Sequence, residues 1–306
     1  MSKIAIIIPC YNEAVTIKNV IEDCKKYLPQ AEIYVCDNNS TDNTVEIAKQ
    51  FGVTIRYEYR QGKGNVIRKM FREIDADCYV LIDGDGTYPL KCVQEMCNMV
   101  LKEDVDMVVG DRLSTTYFQK NKRPFHNFGN RLVRFVINRI FKSHLKDIMS
   151  GYRVMNKFFV KSFPVLSQGF EIETEMTLHA LDKKFTIKEI PIDYTDRPEG
   201  SFSKLNTFSD GILVLKTIFM LFKDYKPFKF FSIIAIILFA FSMFLFIPVF
   251  IEFLLTGKVP RYPTLIVSGV IATISLLMWV CGIILQTIVR KHNEIYEIML
   301  NRIKNQ

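Results

Sequence analysis

Short apolar runs alternate with amphipathic stretches from residue 3 to about 110. Lys3–Ile8 reads as a strand, and Glu13–Tyr27 as a helix whose apolar positions Val15, Ile17, Val20, Ile21 and Cys24 recur at helical spacing. Glu32–Cys36 is a second strand, and Asp42–Phe51 a helix that Gly52 stops. Thr54–Tyr59, Cys78–Ile82 and Asp106–Val109 are further strands, separated by helices over Lys63–Ile74 and Pro89–Lys102. This alternation predicts a largely parallel sheet with right-handed crossovers. Ligands of such sheets bind at the carboxyl ends of the strands. Polar clusters fall there: Pro9-Cys10-Tyr11-Asn12-Glu13, Asp37-Asn38-Asn39-Ser40, Asp83-Gly84-Asp85 and Gly110-Asp111-Arg112.

A different pattern begins after Pro227. Phe230–Ile251 is almost purely apolar, and Leu265–Val289 nearly so. Each reaches roughly 30 Å at about 1.5 Å per residue, the thickness of a bilayer core. Buried helices of a soluble protein are the alternative, which two such stretches in tandem oppose. Lys216, Lys223, Lys226 and Lys229 precede the first stretch, Arg290 and Lys291 follow the second, and the loop between holds Lys258 and Arg261. That bias predicts a multi-pass protein of the inner membrane with both termini in the cytoplasm. The expected organisation is a cytoplasmic α/β domain over 1–207, a juxtamembrane helix over 208–229, spans near 230–254 and 264–289, and a cytoplasmic tail over 290–306. Phe125–Phe141 is basic and amphipathic; it either packs on the sheet or lies on the bilayer, and one helix can do both.

The formal net charge of +8 suits nucleic acid or anionic lipid. No recognition helix or aromatic-basic RNA motif is evident, so lipid is favoured and nucleic acid excluded. Seven cysteines form no C-x-x-C pair and read as reduced core thiols. Gly62-Lys63-Gly64 lacks the third glycine of a dinucleotide loop and reads as a tight turn opening a helix. Asp83 and Asp85, one residue apart at a strand end, can grip a divalent cation together; a solvated acidic turn is the plain alternative.

Seven segments in order carry a family resemblance: I-I-I-P-C-Y-N-E (6–13), C-D-N-N-S-T-D-N-T (36–44), D-G-D-G-T-Y-P (83–89), G-D-R (110–112), D-I-M-S-G-Y-R (147–153), G-F-E-I-E-T-E (169–175) and D-R-P-E-G-S-F-S-K (196–204). The amino-terminal part resembles family 2 glycosyltransferases of the GT-A fold. The whole chain looks like the polyprenyl-phosphate group, which includes dolichyl-phosphate mannose synthases and bacterial enzymes acting on undecaprenyl phosphate. The resemblance implies an α/β GT-A domain with a mixed, mostly parallel sheet, then interfacial helices and a transmembrane hairpin. It also implies inverting transfer of one sugar from a nucleotide donor, a UDP-sugar foremost, to polyprenyl phosphate. The product serves cell-surface glycan modification. Rival readings are a processive polysaccharide synthase and a catalytically dead nucleotide-sugar scaffold.

The resemblance places Pro9, Tyr11, Asn12, Glu13, Asp37 and Asn39 at the nucleoside, with Asp37 near the base. Lys63, Asp83, Gly84, Arg153, Glu173 and Ser203 complete the nucleotide-sugar pocket. Asp83, Asp85 and Thr87 form the expected site for Mg²⁺ or Mn²⁺. Asp85, Arg112, Asp147, Arg197 and Lys204 are the expected catalytic set. Arg112, Arg131 and Arg134 would meet the lipid phosphate. Arg197 and Lys204 otherwise read as a solvated pair, Asp147 as a helix cap, and Glu171, Glu173 and Glu175 as a helix start or metal cluster. The family often has aspartate where Asn38 stands and glutamine where Thr87 stands. A homo-oligomer and a downstream flippase are compatible partners.

Overall fold

The structure is a computed structural model that describes residues 2–115, 124–169, 171–193, 195, 219–220 and 222–304. The chain forms two compact units, Met1–Gly211 and Ile212–Gln306.

The first unit is built on a seven-stranded sheet. Its amino-terminal half is β1 (Ile4–Cys10), α1 (Ile17–Tyr27), β2 (Glu32–Asp37), α2 (Thr44–Lys49), β3 (Thr54–Tyr57), α3 (Lys63–Glu73) and β4 (Cys78–Leu81). A short 3₁₀ turn, Leu90–Cys92, leads into α4 (Val93–Lys102), then β5 (Met107–Asp111) and α5 (Pro124–Phe141). The unit continues with β6 (Arg153–Asn156), α6 (Lys157–Ser162), α7 (Ile172–Asp182) and β7 (Ile187–Pro191). Spatial order is β3-β2-β1-β4-β6-β5-β7. All neighbours are parallel except β6, which runs antiparallel to both β4 and β5.

That one reversed strand decides where the site can form. Arg153 opens β6 opposite Leu81 and Val109, near the carboxyl ends of β4 and β5. The segment before β6 therefore lies beside the loops that leave those ends.

Alternation along β1 separates the two faces. Ile4, Ile6 and Ile8 pack with α1 and α4, including Ile21, Cys24, Met96 and Cys97. Ala5 and Ile7 pack with α3, α6 and α7, including Val66, Met70, Phe159 and Met176. Each fully buried isoleucine contributes about 1.5–3 kcal/mol. Six of the seven cysteines lie in this unit without disulfides, five of them buried. The helices expected over Asp42–Phe51 and Glu13–Tyr27 are shorter than their apolar spacing suggests. In α5, Val133 and Ile137 face inward at 1% exposure, whereas Phe135 is 67% exposed.

The second unit holds α8 (Pro227–Thr256) and α9 (Tyr262–Lys304). Both are long and apolar enough to cross a membrane. Large apolar side chains such as Ile236, Phe244 and Leu276 stand out from them, which suits lipid rather than water. The two helices are stapled by Ser242 Oγ donating to Ser268 O and Ser275 Oγ donating to Ala235 O, each at 2.8 Å. At Gly282 an added Cβ would lie 3.0 Å from Phe231 Cβ, so glycine lets the helices meet. Phe219 and Phe222, in the expected juxtamembrane helix, stack edge-on against Phe230; most of that helix lies outside the described residues. α9 runs unbroken through Arg290, so the expected boundary at 289 falls inside a helix.

Candidate active site

Five loops meet at the carboxyl edge of the sheet. Those after β1 and β2 are knitted together by their own polar side chains. Asn12 N–H donates to Ser40 Oγ (2.9 Å), and Asn12 Oδ1 accepts from Thr41 N–H (2.7 Å). Glu13 N–H donates to Thr44 Oγ1 (2.8 Å). Asn12 and Asn39 adopt φ values of 53° and 65°, which asparagine tolerates better than most residues. Asp37 is 5% exposed and accepts from Ser40 N–H at 3.2 and 3.3 Å. Pro9 and Tyr11 are half-buried on the same edge. Asn38 instead has a framework role. Its Nδ2 donates to Glu58 O and Arg60 O, and its Oδ1 accepts from Gly62 N–H. An aspartate there has no proton for those two carbonyls.

The loop after β4 packs on this pair. Thr16 Oγ1 donates to Gly84 O at 2.6 Å, and a Cβ on Gly84 would sit 3.0 Å from Cys10 Sγ. Asp85, 6% exposed, accepts from both Thr87 N–H (3.1 Å) and Thr87 Oγ1 (2.7 Å). Thr87 is thus placed to orient Asp85, a different job from the direct ligand expected of it. Asp83 accepts from Lys63 Nζ, which also donates to Glu173. Lys63 and Glu173 are buried, and Asp83 keeps 24% side-chain exposure. Burial alone would lower the lysine pKa; the charges of Asp83 and Glu173 and hydrogen bonds to both hold it above its ordinary value. Burial pushes Glu173 up, against the pull of Lys63.

A second charged cluster lies beside the first. Asp147 is 2% exposed and accepts from Arg112 N–H (3.1 Å), Nε (2.7 Å) and Nη2 (3.0 Å). Arg112 Nη1 donates to Tyr88 Oη at 3.2 Å, and the guanidinium lies 5.7 Å from that ring's centre. Gly151 N–H donates to the same hydroxyl at 2.9 Å. Burial pushes the Tyr88 pKa up despite nearby Arg112. Glu189 fixes the loop from behind by accepting from Lys146 and Asp147 N–H.

Gly151 joins the two clusters. A Cβ there would fall 2.4 Å from Asp83 Oδ2 and 3.1 Å from Lys63 Nζ. A side chain there would push Asp83 or Lys63 out of its present place, so glycine lets the acidic loop and the segment before β6 meet closely.

Several expectations change at this point. Arg153 is 0% exposed, so it has no surface for a sugar. Its Nε and Nη2 donate to Ser150 O (2.9 Å) and Ile148 O (2.7 Å), and burial lowers its pKa to about 10. It holds the 148–150 turn instead. Glu173 meets Lys63, Glu175 accepts from Leu166 and Ser167 N–H, and Glu171 precedes α7, so the three carboxylates fan out on a helix. Asp147 is an ion-pair partner and not a helix cap. Arg131 is exposed, and Arg134 Nη1 donates to Lys146 O at 3.4 Å. Arg197, Ser203 and Lys204 lie outside the described residues. Tyr88, Gly151 and Glu189 received no role from sequence; the only signal was that Tyr88 and Gly151 stand inside motif segments.

Comparison with known proteins agrees with this geometry. The family described as glycosyl transferase family 2 matches residues 5–163. Glycosyltransferase AglJ of Haloferax volcanii is 31% identical over 230 residues, 75% of either chain. A UDP-N-acetylglucosamine–dolichyl-phosphate N-acetylglucosaminyltransferase of Methanococcus voltae is 26% identical, covering 62% of this chain and 84% of that one. Among solved structures, glucosyl-3-phosphoglycerate synthase from Mycobacterium tuberculosis, in complex with Mn²⁺, UDP-glucose and phosphoglyceric acid, superposes with a TM-score of 0.57. It is 19% identical, covering 72% of this chain and 79% of that one. The likeness shows a GT-A fold.

Proposed function

Because this chain belongs to glycosyl transferase family 2, we propose that it moves one sugar from a nucleotide donor, a UDP-sugar, to undecaprenyl phosphate at the cytoplasmic leaflet. The observation that carries the reading is the junction at Gly151. It sets the acidic loop Asp83–Asp85 beside the Arg112–Asp147 pair, in a chain that also has two bilayer-length apolar helices.

The donor set suits a hard cation. No group of three or more His, Cys, Asp or Glu side chains encloses a metal site among the described residues. Two carboxylates at a strand end match Mg²⁺ or Mn²⁺, which fills its remaining positions with water and donor phosphates. Asp83 and Asp85 would hold the ion, with Thr87 orienting Asp85. When bound, it supplies Lewis-acid stabilisation of the leaving nucleoside diphosphate. Asp37, Tyr11 and Glu13 frame the nucleoside side. Arg112 presents a guanidinium, fixed by Asp147 and Tyr88, to a phosphate of donor or acceptor. Arg197 and Lys204 would add charge over the pyrophosphate. A phosphate monoester, with a second pKa of about 6, arrives already anionic and needs orientation more than a base. Asp147 accordingly serves as a positioning residue, since Arg112 engages both its oxygens. Attack from the face opposite the leaving group gives inversion. Both termini would be cytoplasmic, with a flippase acting on the product.

The test uses the purified full chain with UDP-sugars, with and without undecaprenyl phosphate. Nucleotide release that requires lipid phosphate, with one sugar per lipid, is expected. Asp85→Asn should lower turnover at least about a hundredfold, in the range of lost electrostatic stabilisation, without changing the unfolding temperature much. Long glycan product indicates a polymerising synthase. Absence of turnover with every donor indicates a binding scaffold. Near-wild-type activity of Asp85→Asn removes the metal argument.

A further inference from the structure

On the premise that Asp83 and Asp85 hold a divalent cation, we propose that Lys63 is a resident competitor for Asp83, and that Glu173 is the partner that lets Lys63 give way.

The lysine backbone is clamped. Gly62 and Gly64 flank it, and a Cβ on either would lie 2.2 Å from the carbonyl oxygen of Gln168 or Ser167. That strap is itself tied to α3, because Arg68 donates to Val165 O, Leu166 O and Ser167 O. Glu175 accepts from the strap's amides at Leu166 and Ser167. With the backbone fixed, only the ammonium can move. It bridges Asp83, on the acidic loop, and Glu173, 110 residues away on α7.

Asp83 is contacted on both sides, but its side chain stays 24% exposed. One oxygen accepts from Lys63, and the other lies against Gly151. A cation that binds this carboxylate therefore competes with the lysine for it. The three groups together carry a single net negative charge, which leaves room for a divalent ion. Without Glu173, Lys63 would cancel the charge of Asp83 and leave Asp85 alone to attract the ion. The ion would then displace a buried ammonium that has lost the second carboxylate of its bridge, an unfavourable arrangement. Glu173 thus acts through Lys63 on the acidic loop.

The probe is Mn²⁺ alone, titrated into the full-length protein in detergent and followed by the electron paramagnetic resonance signal of free Mn²⁺. Glu173→Gln is close to isosteric and should weaken Mn²⁺ binding at least about tenfold, a change of about 1.4 kcal/mol. Lys63→Gln removes the competitor and should bind Mn²⁺ at least as tightly as wild type. The double variant should behave like Lys63→Gln, because no ammonium is left stranded. A merely structural role for Glu173 predicts no such rescue. Wild-type affinity in Glu173→Gln, weaker binding in Lys63→Gln, or a double variant as weak as Glu173→Gln each overturns the proposal. If Glu173→Gln does not fold, the Lys63→Gln result decides alone. Asp85→Asn is the control: unchanged Mn²⁺ affinity there removes the metal reading itself, whereas its loss beside an unaffected Glu173→Gln removes only the competitor.

Discussion

Replacing Asp147 with asparagine isolates the charge of one buried pair while nearly keeping its shape. Asp147 is 2% exposed and takes three hydrogen bonds from Arg112. Breaking a buried pair by removing one charge costs about 3–5 kcal/mol. Two features reduce that figure here. The Arg112 side chain is 12% exposed, and it keeps the Tyr88 hydroxyl and ring. The asparagine also retains one acceptor oxygen, although its amide then faces a guanidinium donor. A loss of about 2–3 kcal/mol follows, or roughly 4–12 °C in Tm for a unit of this size. Calorimetry or near-ultraviolet tyrosine dichroism should follow it. Tryptophan fluorescence would miss it, because the one tryptophan, Trp279, lies in α9 of the other unit. Activity should fall through kcat as Arg112 loses its orientation. An unfolding temperature within about 1 °C of wild type, with unchanged turnover, would refute the view that this pair fixes the Arg112 side of the site.

Two further outcomes test the frame around the site. Asn38→Asp, although it moves toward the family pattern, should lose about 2–4 kcal/mol, because a carboxylate would face Glu58 O and Arg60 O without a proton to offer; chemical unfolding of the first unit measures it, and wild-type stability would count against the framework role. His179 packs against Phe159, Phe163 and Phe185, and burial, with a smaller effect from Lys183, pushes its pKa down to about 3. Below its unfolded value of about 6.5 the unfolded chain takes up a proton that the folded one refuses, so this contribution is intact above that pH and is lost as pH falls. Between pH 6.5 and 5, His179→Leu should therefore lose about 1.6 kcal/mol less stability than wild type, and equal acid slopes would contradict it.

Much was legible before any coordinates. Strand-helix alternation up to residue 110 required only local periodicity, and the observed elements begin and end within a few residues of it. The two bilayer-length helices followed from uninterrupted apolar composition. The acidic, arginine and asparagine clusters fell at strand ends because a parallel sheet collects its carboxyl termini on one edge. β6 and β7 carried no strand signal: β6 holds two apolar residues between Arg153 and Asn156, and Lys188-Glu189 interrupts β7.

What tertiary structure decided was which charge meets which. Lys63 finds Glu173 across 110 residues, Arg112 finds Asp147 across 35, and Gly151 finds Tyr88 across 63. None of these separations carries a local period. The last two arise because β6 enters the sheet in reverse between β4 and β5, which brings the segment before it back to the carboxyl edge; the first arises because α3 and α7 pack on the same face of the sheet. The same placement buried Arg153, whose charge the sequence alone could only assign to a ligand. Residue chemistry along the chain determined the kinds of group available; the long-range packing of one antiparallel strand and of α7 against α3 determined their partners, because burial and ion pairing depend on neighbours in space.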